Sequence, residues 1–311
     1  MARIGNSALD VFPLSLGGNV FGWTADEAQS FAVLDAFTGR GGDFVDTADV
    51  YSAWVPGNGG GVSEKIIGAW LARRGRRDDV VIATKVGSHP DFKGLRADTI
   101  KKGAEASLRR LGVDHIDLYY THRDDPEVPV EEIITALDAL VKEGKVRAIG
   151  ASNISAERLA ASLDFSEREG LARYEIVQPL YSLVERDTFE GPLADLVAAR
   201  GLSTAPYYAL ASGFLTGKYR PGTEVDSARA GKAGQYLSTP TGPKVLAALD
   251  EVAAAHGAEV TTVALAWLAA QPTVVAPIAS ARTVEQVPAL TAVAELELTE
   301  QEVAALTAAA S

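Results

Sequence analysis

Eight short apolar, β-rich runs, separated by stretches of helical period, constrain this chain more than any other feature. They fall at residues 14–18, 44–48, 80–86, 116–122, 146–152, 176–181, 202–209 and 274–280. The runs are continuously apolar rather than strictly alternating, the pattern of parallel strands covered on both faces. Most begin roughly 30 residues apart, enough for one crossover helix each. The intervening stretches carry the matching stripe: Ile100, Ala104, Leu108 and Leu111 in one, Ile133, Leu137, Leu140 and Val141 in another. Strands alternating with amphipathic helices give a parallel sheet, either open and doubly wound or closed, and the count of eight favours closure. The expected architecture is α/β, a single (β/α)8 TIM barrel domain over residues 1–311. Ahead of the first run, residues 3–4 and 10–12 flank Asn6 and Ser7, a pattern for a small hairpin at one end of the barrel. The interval 211–241, before a helix expected at 243–256, interrupts the repeat and reads as a binding lid or as an untethered surface loop.

Composition narrows the function. The chain is 47% hydrophobic and 23% charged, with a formal net charge of -12. That balance argues against a surface built for a phosphate backbone, so no nucleic-acid partner is expected. Residues 1–12 lack the features of an export signal, and no apolar run is long enough to cross a bilayer. A cytoplasmic protein with no membrane partner is the resulting expectation; oligomeric state stays open. There is no cysteine, hence no disulfide or thiolate nucleophile. The histidines at 89, 115, 122 and 256 lack the paired spacing of a metal site, which favours a metal-independent mechanism.

In a barrel of this kind the chemistry sits at the C-terminal ends of the strands. Four ionisable residues occupy such places: Asp46 in the second run, Tyr51 just beyond it, Lys85 near the end of the third and His122 closing the fourth. Singly, each has a bland explanation: a turn cap, a packed ring, a snorkelling ammonium, a satisfied core imidazole. Jointly they are hard to dismiss, because an unpaired buried charge is strongly penalised.

These residues resemble the catalytic tetrad of the aldo-keto reductase family, in particular its potassium-channel-β-like branch with bacterial members. The likeness continues through the run Asp46-Thr47-Ala48-Asp49-Val50-Tyr51, Ser63-Glu64, His122 with Asp125, Pro129 and Glu132, the segment 144–153 and Leu215-Thr216-Gly217-Lys218-Tyr219. The resemblance implies a (β/α)8 barrel that reduces aldehydes or ketones to alcohols with NADPH, NADH being possible. Tyr51 would supply the proton, with Lys85, Asp46 and His122 assisting. A phenol is a weak acid at neutral pH, and a cation at about 4 Å in an effective dielectric of about 20 contributes on the order of 4 kcal/mol. Lys85 is therefore expected to make Tyr51 more acidic, with Asp46 touching the lysine to hold it charged.

No G-x-G-x-x-G turn opens a strand–turn–helix unit, so a Rossmann site is not expected. The loops after the seventh and eighth strands offer a phosphate site instead: Leu210, Ser212, Leu215, Gly217 and Lys218 on one side, Ser280, Arg282 and Gln286 on the other, with a helix beginning near Thr283. By resemblance, Ser152, Asn153 and Gln178 would hold the nicotinamide carboxamide, Tyr207 would stack on its ring, and Ser280 and Arg282 would meet a 2'-phosphate. Tyr208, Ala279 and Leu290 depart from the usual serine, glycine and adenine-contacting asparagine. Phe21, Trp23, Trp54, His89 and Arg123 are expected to border the substrate mouth, suiting an apolar or ring-bearing carbonyl compound. Two other readings compete: a dinucleotide-sensing regulatory protein with little turnover, and a barrel glycosidase using Asp46 and Asp125, in which Lys85 and Tyr51 have no necessary place.

Overall fold

A computed structural model describes residues 1–226 and 228–311. All eight expected strands form: β1 (Ser15–Gly17), β2 (Phe44–Asp46), β3 (Val81–Val86), β4 (Ile116–Thr121), β5 (Val146–Ser152), β6 (Tyr174–Gln178), β7 (Ser203–Thr204) and β8 (Ile278–Ala279). Every pairing between them is parallel, in the order β7-β6-β5-β4-β3-β2-β1-β8. The sheet closes where the approach to β8 meets β7, through a Thr204–Val274 bridge and bonds from Val275 N to Thr204 O and Ile278 N to Pro206 O, each 2.9 Å. The result is a (β/α)8 barrel.

Helices α1 (Glu27–Thr38), α2 (Val62–Arg74), α3 (Ala97–Leu111), α4 (Val130–Lys142), α5 (Ala156–Glu169) and α6 (Pro192–Ala199) follow the first six strands. The stripes seen in the sequence face inward: Ile100, Ala104 and Leu111 of α3 and Ile133, Leu137 and Leu140 of α4 are buried. The hairpin also forms, with Ala2–Arg3 antiparallel to Asp10–Val11. Its Ile4, Leu9 and Val11 pack on Phe44, Ala83, Leu118, Ala148 and Ile176 inside the barrel. Gly5 N donates to Ser203 Oγ at 2.8 Å, fixing the hairpin under the N-terminal ends of the strands.

The 211–241 interval is not an untethered loop. It holds a 3-10 turn (Ala211–Thr216) and helix α7 (Ala230–Leu237), before α8 (Gly242–His256) and α9 (Val260–Ala269). Phe214, Leu215, Tyr219 and Ala233 are buried, and Arg220 pairs with Asp250. Enough apolar surface is covered to order the segment despite its polar composition. Among the described residues no single helix is long and apolar enough to cross a membrane.

Candidate active site

Asp46 ends β2, and Lys85 is the penultimate residue of the neighbouring β3. Side chains alternate along a strand, so both point into the barrel, one step above the apolar layer of Phe44 and Ala83. Asp46 is 1% exposed and Lys85 not at all. Buried charges of this kind are tolerable only when paired and fully hydrogen-bonded, and here they are. Lys85 Nζ donates to Asp46 Oδ2 at 2.6 Å, Thr47 O at 2.7 Å and Tyr51 Oη at 3.0 Å. An ammonium has three hydrogens, so its capacity is filled. The other oxygen of Asp46 accepts from Gln178 Nε2 at 2.9 Å.

Tyr51 is held by the loop after β2, where Ser52 adopts a left-handed φ of 69° and its hydroxyl donates to Phe21 O at 2.8 Å. The His122 ring lies 6.1 Å from the Tyr51 ring at 75°. Its backbone N donates to Val86 O, and its Nδ1 is buried with no partner among the described residues. Burial first, and then the nearby Lys85 charge, push the His122 pKa well below the ordinary value, so the imidazole is neutral at neutral pH. The four sequence candidates are thus brought together.

The expected effect of Lys85 on Tyr51 does not appear. Burial, followed by the Asp46 charge, pushes the phenol well above its usual pKa. Burial likewise lowers Lys85, opposed by Asp46. The physical reason is the short Lys85–Asp46 contact: a cation with its counter-ion beside it presents a dipole, not a bare charge, to the phenol.

Beside the tetrad, Ser152 Oγ donates to Gln178 O at 2.8 Å, Asn153 Nδ2 to His122 O at 2.9 Å, and Tyr207 Oη to Asn153 Oδ1 at 2.8 Å. Asn153, Gln178 and Tyr207 line a cleft of about 150 Å3. In the loop after β7, Tyr208, Ala211 and Ser212 all have left-handed φ, and Ser212 Oγ donates to Tyr208 Oη at 2.9 Å. Such conformations in non-glycine residues carry strain and gather at functional loops. Leu215 is buried beneath that loop; Leu210 is half-buried. Gly217 closes the 3-10 turn at φ 75°, and Lys218 lies over the Tyr219 ring. After β8, Ser280 Oγ donates to Asn19 Oδ1 at 2.6 Å, and Arg282 N to Gln286 Oε1 at 2.8 Å. The helix expected near Thr283 is a 3-10 turn, Val284–Gln286, leading into a short helix at Val287–Thr291. Pro288, which brings no N–H, sits in its first turn.

The sequence profile of the Aldo/keto reductase family matches residues 13–311. The chain belongs to that family. It is 34% identical to the aldo-keto reductase str7 of Strobilurus tenacellus, over 98% of this chain and 88% of the relative. It is 33% identical to norsolorinic acid reductase stcV of Emericella nidulans, over 96% of this chain and 78% of that one. It is 34% identical to a probable voltage-gated potassium channel subunit beta of Oryza sativa, over 92% of this chain and 88% of that protein. Family membership implies oxidoreduction of carbonyl compounds with a nicotinamide cofactor in general terms.

This aldo/keto reductase places the remaining candidates unevenly. Trp23 and Trp54 pack edge to face at 5.7 Å, and Trp54, 48% exposed, also meets the Tyr51 ring at 6.1 Å. Arg123 is exposed beside His122. Phe21, by contrast, is wholly buried in the core beneath the helices, so its ring borders no open mouth. His89 lines a lateral cavity that contains none of the tetrad. Leu290 is buried in the same core as Phe21, which leaves it no polar role toward an adenine. Sequence reasoning missed the bond of Gln178 to Asp46. It also passed over Asp49, which is fully buried and whose carboxyl oxygens lack a partner in good geometry. The amides of Gly87 and His89 lie near but do not compensate, and burial, then Glu64, push Asp49 to a pKa of about 7. Its place inside the run Asp46-Thr47-Ala48-Asp49-Val50-Tyr51 was the available signal.

Proposed function

We propose that this chain is an NADPH-dependent reductase of aldehydes or ketones, carried on one barrel domain, with Tyr51, Lys85, Asp46 and His122 as its catalytic residues. The observation that carries this reading is the 3.0 Å contact from Lys85 Nζ to Tyr51 Oη. With three acceptors around the ammonium, a lysine hydrogen is directed at the phenol oxygen, while the phenol's own hydrogen makes only a long 3.4 Å bond to Asp46 Oδ2, one that a substrate oxygen at ordinary hydrogen-bond distance would replace. The raised Tyr51 pKa keeps that hydrogen in place until an alkoxide, a stronger base still, develops on the substrate. As the proton leaves, the Lys85 hydrogen bond to the oxygen becomes charge-assisted, stabilising the phenolate only when it forms. Neutral His122 orients the carbonyl, and Asp46, held by Gln178, keeps Lys85 charged and aimed.

When bound, the cofactor supplies hydride to the carbonyl carbon. Ser152, Asn153, Gln178 and Tyr207 would hold its nicotinamide end. Leu210, Ser212, Leu215, Gly217, Lys218, Ser280, Arg282 and Gln286 would hold the rest. The Arg282 guanidinium makes no hydrogen bond or ion pair among the described residues, which fits it for a 2'-phosphate and favours NADPH over NADH. Trp23, Trp54 and Arg123 would border the substrate, and the paired indoles favour a ring-bearing carbonyl compound. His89 and Phe21 are not proposed for that role.

The relative named as a potassium channel subunit beta supports a second reading, a dinucleotide sensor with little turnover. The complete tetrad, with Lys85 bonded to both Asp46 and Tyr51, favours the enzyme. Mixing the protein with NADPH or NADH and a panel of aldehydes, ketones and sugars, while following loss of reduced-cofactor absorbance, separates the two. Turnover with NADPH supports the reductase. Tight NADPH binding with no turnover across the panel supports the sensor and overturns the first reading.

A further inference from the structure

A cavity of about 690 Å3 lies on the flank of the barrel, between the loop leading into α2, the turn after β3 and the last turns of α3. It is open to solvent along much of its rim, so its volume bounds the size of an occupant and does not enclose one. Three cationic side chains line it, Lys65, Arg109 and Arg110, against one carboxylate, Asp91. Arg110 is committed to buried Glu64 at 2.5 Å. The side chains of Lys65 and Arg109 make no ion pair or hydrogen bond among the described residues.

The second observation is His89, 5% exposed and set into the cavity wall. Its Nδ1 accepts from Asp91 N at 3.1 Å, so in the neutral ring the hydrogen resides on Nε2. Burial, then the Arg110 charge, lower its pKa and keep it neutral. Nε2 has no hydrogen-bond partner among the described residues. It faces Gly60, whose φ is 96° and where an added Cβ would come within 2.8 Å of that nitrogen. Gly61, at φ 68°, is the N-cap of α2 and brings no side chain to cap its first amides. Nothing lies within 4 Å of where a Cβ on Gly59 would stand.

We propose that this lateral cavity binds a small molecule through a phosphoryl group. Donors outnumber acceptors in the wall: the Lys65 ammonium, the Arg109 guanidinium and the His89 Nε2–H stand against the Asp91 carboxylate. That set matches a multiply charged tetrahedral oxyanion better than a planar carboxylate. The volume leaves room for a body beyond the phosphoryl group, resting against Phe92 and Ala106. The site is separate from the barrel mouth and does not depend on the reductase reading.

Inorganic phosphate and glycerol phosphate are the probes, titrated into the full chain while the His89 imidazole signals are followed by NMR, alongside calorimetry. Saturable movement of those signals is expected, with a rise in the His89 pKa as an anion settles beside it. The Lys65→Ala/Arg109→Ala variant, altered only at exposed positions, should weaken binding roughly tenfold or more, while Arg282→Ala changes it by less than about twofold. Unchanged affinity in the double variant overturns the proposal. So does a loss confined to Arg282→Ala, which puts the phosphate at the barrel mouth, or the absence of saturable binding to the wild-type chain.

Discussion

The two ends of this barrel are built from the same strands and hold opposite chemistry. At the N-terminal end the inward side chains are Phe44, Ala83, Leu118, Ala148 and Ile176, closed by Ile4, Leu9 and Val11 of the hairpin. Farther along, strand by strand, the inward positions become Asp46, Lys85, Ser152 and Gln178, with His122 just past the end of β4. Stability is concentrated below and reactivity above. The boundary is one or two pleats wide.

The largest expected effect falls on the upper layer. Tyr51→Phe should cut reduction turnover by about 10³-fold while leaving dinucleotide affinity and melting temperature nearly unchanged, because a positioned general acid contributes roughly 10²–10⁴. Steady-state kinetics with a cofactor-binding titration measures both. A variant with wild-type turnover would remove Tyr51 from the chemistry.

Asp49→Asn tests the cost of an acid behind that layer. The folded pKa of about 7 lies above the unfolded value, so the folded state keeps a proton the unfolded chain has released. Stability attached to that proton is intact below the unfolded pKa, near 4, and is lost as pH rises to about 7. The variant should therefore gain on the wild type across this window, by on the order of 4 kcal/mol at most, and level off above it. Denaturant titrations at several pH values check this; a gap independent of pH would contradict it.

In the lower layer, Leu118→Ala should cost about 3 kcal/mol, as buried leucine truncations do, with kcat and KM close to wild type. If turnover fell as steeply as stability, the separation of the two ends would be broken. The smallest effect is an absence: the Tyr51-dependent alkaline limb of reduction should lie above pH 10, since its phenol is held above its ordinary 10.0. A limb at pH 8 would restore the acidifying role first expected of Lys85.

The strands and the four gathered side chains were legible because each depends on pattern within a few residues: an apolar run, a stripe of period 3.6, an ionisable residue at a strand end. What was not legible depends on who meets whom. That Lys85 acts on Tyr51 as half of a neutralised pair follows from a 2.6 Å contact between residues 39 positions apart. His89 was read from its place after β3 as a mouth residue, but the turn carries it to the flank, against Gly60. The 211–241 interval left a lid and an untethered loop both open, because its polar composition does not announce that Phe214 and Tyr219 within it are buried. The Gln178 bond to Asp46 spans 132 positions, and no local signal announces it.

The apolar layer that fills the lower barrel leaves one way in, from the C-terminal ends of the strands. If the dinucleotide and its carbonyl partner both react over Asp46 and Lys85, they must pass through a common doorway, and the molecule lodged deeper has to arrive first and depart last. The packed lower layer, whose side chains touch neither reactant, would then dictate the order of arrivals above it.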